Sequence, residues 1–455
     1  MCFANILIMK SFYLQFIFFS FSAMMFSQAG HIMQGIGAVN MSMGGASTAQ
    51  PLDISGAMQW NPATLSVFDS KILKLDVGLF SSSPELFGSL PAGMLGPGAP
   101  GVSGITEDDR GTSLMPAIAM VWGKEGSKHT FGVSAFGISG FGVTFPEEAN
   151  NPLSPNFNPM ENSNPINYPQ MARGFGHIES DYMLLQVGLS YAYQLTDKFS
   201  VGVQPTINYS ALELAPNPTA NPTMAGYPTT DKPSAIGFGA QFGMFYDSGH
   251  GLKLGASYKM PQTFFKFKFT NTYLDNSTSE NEFQMDYPGI FSLGLGYSTG
   301  DIDFALDFRR VDYENTAGFK NTGWTPKASV AGFGWKNISI LSTGLQYKGI
   351  NKLPLRIGYT YSSNPIPEEL TFFNIPATAV IKNAYQFGLS YVVNDSWKLD
   401  AVYHYGDSNG STEGQMLSPQ MVSPNNPLGA IPGSKVSYKM TTSMIQFGLS
   451  YTFNK

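Results

Sequence analysis

The sequence is short of charge and almost without thiols. Of its 455 residues only 13% are Asp, Glu, Lys or Arg, about half the share of an ordinary soluble chain, which argues against a cytoplasmic enzyme. Its one cysteine, Cys2, leaves neither a thiolate metal site nor a disulfide framework. Beyond residue 26 no apolar run approaches the ~18 consecutive residues of a membrane helix, so a polytopic helical membrane protein is excluded as well. The 26 basic residues are scattered under a net charge of −6 and form no stripe for nucleic acid. What the chain does hold is 49 Gly, 35 Phe and 22 Tyr, apolar residues diluted by small and polar ones.

The N-terminus has the form of an export leader. Lys10 precedes the apolar run Phe12 to Phe19, and Ser27-Gln28-Ala29 places small residues where a signal peptidase inspects the chain. Residues 1–29 are therefore expected to be a signal peptide cut after Ala29. The first eight residues are uncharged, and Met9-Lys10 resembles the start of a secretory leader, so translation is expected to begin at Met9. The mature chain would then contain no cysteine.

From Lys71 onward one pattern recurs: about ten residues of strict alternation, then a break. Gln386-Phe387-Gly388-Leu389-Ser390-Tyr391 shows it, and nearly the same words return at Gln186–Tyr191 and Gln446–Tyr451. Period two means strand. Fourteen such segments are found, at 71–82, 114–123, 129–145, 181–194, 198–214, 236–247, 252–269, 283–298, 302–313, 330–348, 353–363, 381–393, 397–407 and 441–453. The six connections of three to five residues alternate without exception with seven of 13 to 35 residues. Short turns at one end and long loops at the other are the layout of an outer-membrane barrel, with the short turns facing the periplasm.

An independent regularity supports this. Every segment that runs into a short turn or the C-terminus carries an aromatic at nearly the same depth: Trp122, Tyr191, Tyr246, Tyr297, Tyr347, Tyr391 and Tyr451. Rings with an apolar body and a polar tip collect at the membrane–water interface. The expected fold is thus all-β and membrane-spanning, a 14-stranded antiparallel β-barrel over 71–455. Residues 30–70 do not alternate; they are rich in glycine and hold no Lys or Arg. A fourteen-stranded barrel encloses more lumen than its own side chains fill, so this segment is expected to fold inside as a hatch.

At the hatch the sequence resembles a known family. Ser42-Met43-Gly44-Gly45-Ala46-Ser47 followed by Trp60-Asn61-Pro62-Ala63 is similar to the hatch signature of the FadL/TodX family of outer-membrane transporters for hydrophobic compounds. The resemblance implies a Gram-negative outer-membrane location and passive diffusion of long-chain fatty acids or other hydrophobic small molecules. It also implies a loop-borne docking site and a kinked third strand giving sideways exit into the membrane. Gly44, Gly45, Asn61, Pro62 and Ala63 are the hatch residues carried over, and Gly137, Gly140 and Gly142 the kink, where missing side chains let a strand bend. Some barrels of the same family serve protein secretion, and that role is the alternative; a general porin fits less well, because charge is scarce and the lumen plugged.

Ligand contacts are sought in three places. The hatch supplies His31, Ile32 and Met33. The long loop 146–180 supplies Phe157, Met160, Tyr168, Met171 and Phe175, which either bind ligand or pack on Leu86, Phe87, Leu90, Met94 and Leu95 of the loop 83–113. Inward barrel positions supply Arg309 and Arg356, with Lys382 and Lys398, as partners for a carboxylate, although Arg309 beside Asp307 equally suits a structural pair. The five histidines share no motif, and neither His-Glu-x-x-His nor Gly-x-Ser-x-Gly occurs. No enzymatic activity, metal, cofactor or nucleic-acid partner is expected; the expected partners are a hydrophobic small molecule and outer-membrane lipid, with the protein a monomer.

Overall fold

The computed structural model describes residues 28–453; most of the expected leader, and with it Cys2 and Met9, lies outside them. Fourteen antiparallel strands form the wall. The first seven are β1 (Lys71–Leu90), β2 (Thr112–Trp122), β3 (His129–Phe145), β4 (Ile178–Thr196), β5 (Phe199–Ala215), β6 (Ser234–Asp247) and β7 (Leu252–Lys259). The second seven are β8 (Gly289–Thr299), β9 (Ile302–Asp312), β10 (Ile338–Tyr347), β11 (Leu355–Ser362), β12 (Asn383–Val392), β13 (Trp397–Asp407) and β14 (Lys435–Thr452). Each pairs with its sequence neighbours, and β14 pairs with β1 from Lys435↔Ser89 to Thr452↔Ile72, which closes the barrel. Closure leaves no strand of the wall with a wholly unpaired edge.

The alternation has a simple physical origin. Outward positions such as Leu75, Val77 and Leu79 on β1 are exposed while Lys74, Asp76 and Phe80 between them are buried, so the apolar face meets lipid and the mixed face meets the lumen. Trp122, Tyr246, Tyr297, Tyr347 and Tyr391 all point outward near the short turns, and the rings of Tyr451 and Trp397 pack at 4.5 Å. No helix among the described residues is long and apolar enough to cross a membrane.

Several strand boundaries depart from the sequence pattern. The alternation over 252–269 suggests one strand, but β7 ends at Lys259, just before Pro261, whose missing N–H cannot continue a ladder. The chain rejoins β6 briefly at Thr263–Phe264, then Phe267–Thr272 leaves the wall to pair with Thr278–Phe283 in a separate small sheet. β8 correspondingly begins at Gly289, after Pro288, and not at 283. The stretch 330–337 is not strand either; glycines at 332 and 334, the latter at φ +66°, bend it inward so that Phe333 and Trp335 are buried. β1 and β14, conversely, extend well past the membrane and carry the short strands Val102–Glu107 and Thr412–Gly414 on their outer ends.

Inside lies the N-terminal segment, with α1 (Ala38–Ser42), α2 (Ile54–Trp60) and a 3-10 turn over Pro62–Val67. Asp53 caps α2 by accepting from the Gly56 amide at 3.0 Å. Asn61 caps the 3-10 turn, accepting from the Ala63 amide at 3.1 Å, with Pro62 at its first position.

Candidate functional site

The lumen is divided by chemistry. Toward the short turns, paired charges join hatch to wall. Lys74 on β1 donates to Asp53 of the hatch at 2.5 Å and to Asp400 on β13 at 3.2 Å. These two strands flank β14, so the clasp spans it, and Gly448 opposite Asp76 and Asp400 leaves room between them. Asp76 accepts from the Ala38 amide at 2.9 Å, at the start of α1. On the far wall one oxygen of Asp307 accepts from the amides of Ser47 and Thr48, each at 2.9 Å, and from the Thr48 hydroxyl at 2.8 Å. Arg309 donates to Asp307 and to the Gly45 carbonyl, both at 2.6 Å. Its guanidinium lies 3.7 Å from the centre of a Trp60 ring.

The predicted hatch signature sits at this interface. Asn61 donates to the carbonyls of Thr48 at 2.8 Å and Met244 at 2.9 Å, the second belonging to β6. Gly44 and Gly45 both have positive φ, 67° and 75°, where side chains are strained. A Cβ on Gly44 would come within 2.7 Å of the carbonyl oxygens of Thr343 and Tyr359 on the wall. The pair thus lets hatch backbone lie directly on strand backbone. Arg309 and Arg356 are both engaged by protein groups at this level, Arg356 donating to Gln346 at 2.7 Å and Ser390 at 2.8 Å. Neither lines the surface groove described below.

Toward the long loops the lumen is aromatic. The His31 ring is enclosed by Tyr182, Tyr287, Tyr313, Phe319 and Trp335, with ring centres 4.9 to 6.0 Å away. Its Nδ1 is 2.8 Å from the Tyr313 hydroxyl, while Nε2 has no hydrogen-bond partner. Burial holds the imidazole pKa down to about 3, so it is neutral. The cage extends to β3 through Phe141, 5.0 Å from Tyr182 and 5.8 Å from Phe333.

Here β3 is interrupted. β2 pairs with it only from Ala117↔Phe136 to Trp122↔Phe131, although β2 continues outward to Thr112 beside β1. A bulge at Ile138, between Gly137 and Ser139, follows at once. From Ile138 to Phe141 every side chain is buried and the in-out alternation stops, as an inward bend requires. The free edge is taken up by the hatch: Ile32 pairs with Ser139, whose hydroxyl donates to the His31 carbonyl at 2.7 Å, and the Gly140 amide donates to the same oxygen at 3.3 Å. The bulge thus begins at Gly137, with Gly140 in the stretch that follows and Gly142 where alternation resumes, and His31 and Ile32 meet β3 at Ser139 and Gly140.

Above the cage, two connected hollows open outward. The smaller one, with room for about 40 Å³, is lined by Phe175, Ile178, Tyr227, Trp324, Val330 and Phe372 among others. Phe175, Tyr227, Trp324 and Phe372 also line a wider surface groove of about 640 Å³. Leu90, Met94 and Leu95 of the first long loop and Tyr168 and Phe175 of the second contribute to this groove. Phe157, Met160 and Met171 do not line it. The loop 146–180 is tied by asparagine side chains, Asn150 to the Asn158 and Asn162 carbonyls and Asn164 to the Leu86 carbonyl, and this folding turns Met160 and Met171 to solvent at 85% and 83% exposure. Sequence reasoning missed Tyr227, Trp324, Phe372, Met416 and Leu417 of the later loops; apolar residues in long connections were the available signal.

Residues 159–454 match the sequence profile of the outer membrane protein transport protein family, OMPP1/FadL/TodX. The chain is also similar in structure to a Pseudomonas aeruginosa FadL homologue (TM-score 0.70, 15% identity, covering 94% of this chain and 100% of that one). The P. putida toluene transporter TodX follows at TM-score 0.64 and 17% identity, covering 93% and 99%. The Ralstonia pickettii toluene transporter TbuX gives 0.60 and 16%, covering 92% and 99%. No curated protein matches. With a matching profile over more than half its length on a closed fourteen-stranded barrel, the chain belongs to the OMPP1/FadL/TodX family of transport proteins of the Gram-negative outer membrane.

Proposed function

We propose that the protein admits hydrophobic small molecules from the cell surface and releases them sideways into the outer membrane, by diffusion and without chemistry. The observation that supports this is the interruption of β3, where β2 no longer pairs and a packed aromatic cluster reaches the bend through Phe141, together with an apolar groove among the long loops. The groove collects ligand, and its methionines and leucines adapt to varied shapes. Val330, on the inward loop 330–337, lines the smaller hollow, and Phe333 and Trp335 of the same loop pack in the cage. His31 and Ile32, on the free edge of β3, stand at the exit, and the bound hatch closes the axial route.

Energetics favour the lateral path. Each CH₂ moved from apolar surroundings into water costs about 0.8 kcal/mol, so release of an acyl chain into the periplasm is far more costly than a slide into lipid. Because one chain closes the barrel, the working unit is a monomer. The test is uptake of labelled toluene and dodecanoate by cells whose own hydrophobic transporters are deleted, with and without this protein. Faster uptake of either supports the reading; a well-assembled barrel that accelerates neither removes it in favour of a secretion role.

A further inference from the structure

The gap between β2 and β3 has a top as well as a bottom. Below, the last shared rung is Ala117↔Phe136. Beyond it β2 stays on β1 out to Thr112↔Ser81, while β3 stays on β4 out to Phe145↔Ile178. The two sides then meet again through the chain that precedes β2. The Asp109 amide donates to the Thr144 carbonyl at 2.9 Å, and the Thr144 amide donates to the Asp108 carboxylate at 2.5 Å. Asp109 lies eight positions before Ala117 and Thr144 eight positions after Phe136, so the sides rejoin in the register in which they parted. A frayed hairpin end would not return to register. The gap is a closed eyelet in the wall, with Gly137 to Val143 along one side and Thr112 to Pro116 along the other.

Arg110 fixes the upper bar of this frame. Its side chain reaches past β3 to β4, where Nη1 donates to the Ser180 carbonyl at 2.5 Å and Nη2 lies 3.2 Å from Asp181 Oδ1. A guanidinium presents its donors in one rigid plane and grips a carbonyl and a carboxylate together. Only 12% of this side chain is exposed, so the contact is largely shielded from water. Asp181 is held in turn by Lys232, just before β6, which lies 4.0 Å from Glu213 on β5. The bar is thereby braced to the continuous part of the wall. β2 is fitted to the gap as well. The Gly123 amide donates to the Ser70 carbonyl at the start of β1, so odd-numbered residues of β2 turn to β1 and even-numbered ones to β3. Pro116, the first even position beyond the last rung, has no N–H to leave unpaired in the gap.

Taking the transport reading as given, we propose that Arg110 determines specificity: by closing the eyelet from above, it limits the girth of the molecules that leave through it, so that slender hydrocarbons pass and broad polycyclic ones are refused. It acts through the backbones of β3 and β4 and not by contact with ligand. With both ends of the frame fixed, the sides part only as far as the few residues between them allow. With the bar released, β2 and β3 splay toward the cell surface and the limit is lost. A loop that served only to cover the mouth of the barrel would have no need to rejoin β3 in register.

The experiment compares uptake of toluene and of four-ring pyrene, both neutral, by cells that lack other hydrophobic transporters and carry the full-length protein. Wild type should pass toluene about tenfold faster than pyrene, and Arg110→Met, which keeps the stem and loses the fork, should bring the two within about twofold with toluene unchanged. A merely structural arginine would lower both rates together; that outcome, or continued exclusion of pyrene, overturns the proposal. The mature chain is expected to hold no cysteine, so Asp109→Cys with Thr144→Cys can return the bar to R110M as a disulfide. Pyrene should then be refused after oxidation and admitted after reduction, and its admission by the cross-linked barrel overturns the proposal. If R110M does not assemble, as judged by heat-modifiable migration, two glycines inserted after Gly111 decide. That position is exposed, with nothing within 4 Å of an added Cβ, and the insertion lengthens the frame while Arg110 stays. Pyrene entry there supports the proposal and its exclusion overturns it. Wild type that passes pyrene as readily as toluene overturns the filter and leaves transport standing; wild type that accelerates neither overturns transport and filter together.

Discussion

The two halves of the lumen solve opposite problems with the same wall. Near the short turns, glycine-lined strands let the hatch backbone approach closely, and Asp76, Asp307, Asn61 and Lys74 hold it through short polar contacts. Near the long loops, His31 and its ring of Tyr, Phe and Trp pack through faces and edges that have few directional bonds. Directional, charge-paired contacts are costly to break one at a time, whereas aromatic and methionine contacts can be exchanged for a ligand of similar character. One half is built to stay and the other to be displaced.

The largest effect should come from removing an anchor. Asp307→Ala leaves Arg309 buried without its partner and frees the Ser47 and Thr48 amides, at a cost of about 3–5 kcal/mol. Limited proteolysis should then cut the hatch in an intact barrel, and single-channel conductance should rise; a hatch as resistant as wild type would mean that the halves do not differ as described. Asn61→Ala strands the carbonyls of Thr48 and Met244 at about 1–3 kcal/mol. The barrel should still assemble with altered uptake, and normal uptake would remove Asn61 from the mechanism.

In the upper half the same logic predicts losses of function without losses of structure. Gly140→Val with Gly142→Leu should stiffen and fill the bend of β3, so ligand still binds while most uptake disappears. Wild-type uptake in that assembled double variant would rule out the lateral route. Trp324→Ala opens the shared wall of groove and smaller hollow, and ligand affinity should fall by about 1–2 kcal/mol, roughly five- to thirtyfold, with thermal stability unchanged. The smallest effect belongs to the exposed pair of Lys439 and Glu85, 2.8 Å apart on the outer extensions of β14 and β1. Glu85→Gln should alter neither uptake nor thermal stability, since such pairs are screened by water.

The wall was legible because its rule is local: each strand must show one face to lipid and one to the lumen, and a change of register by one residue would reverse both. Strand ends were not, because alternation persists where the membrane stops. Lys266–Phe269 alternates as well as any spanning segment, with Phe267 and Phe269 buried and Lys266 and Lys268 outside, yet from Phe267 the chain belongs to a separate small sheet. The Asp307–Arg309 pair could be guessed from its spacing, and Asn61 from its signature. Arg110 could not. An arginine in a long connection looks alike in sequence whether or not a strand edge stands near it in space, and what sets this one apart is the return of its neighbours to β3. The groove was half read for a similar reason: its second wall comes from later loops, from Tyr227 to Leu417, that meet the first only in the folded chain.

The clasp of Asp53, Lys74 and Asp400 has a bearing on how the molecule is made. Lys74 and Asp400 sit on strands far apart in sequence and become neighbours across β14 only when the last strand has found the first. Joining chain ends so distant is a late, entropically costly step in folding. Until it happens, Lys74 lacks one of its two acids and the hatch lacks part of its mooring; once it happens, plug and seam stabilise each other. Insertion of the plug and zipping of the seam are therefore one cooperative event, and an intermediate with an open seam should also have a loose plug.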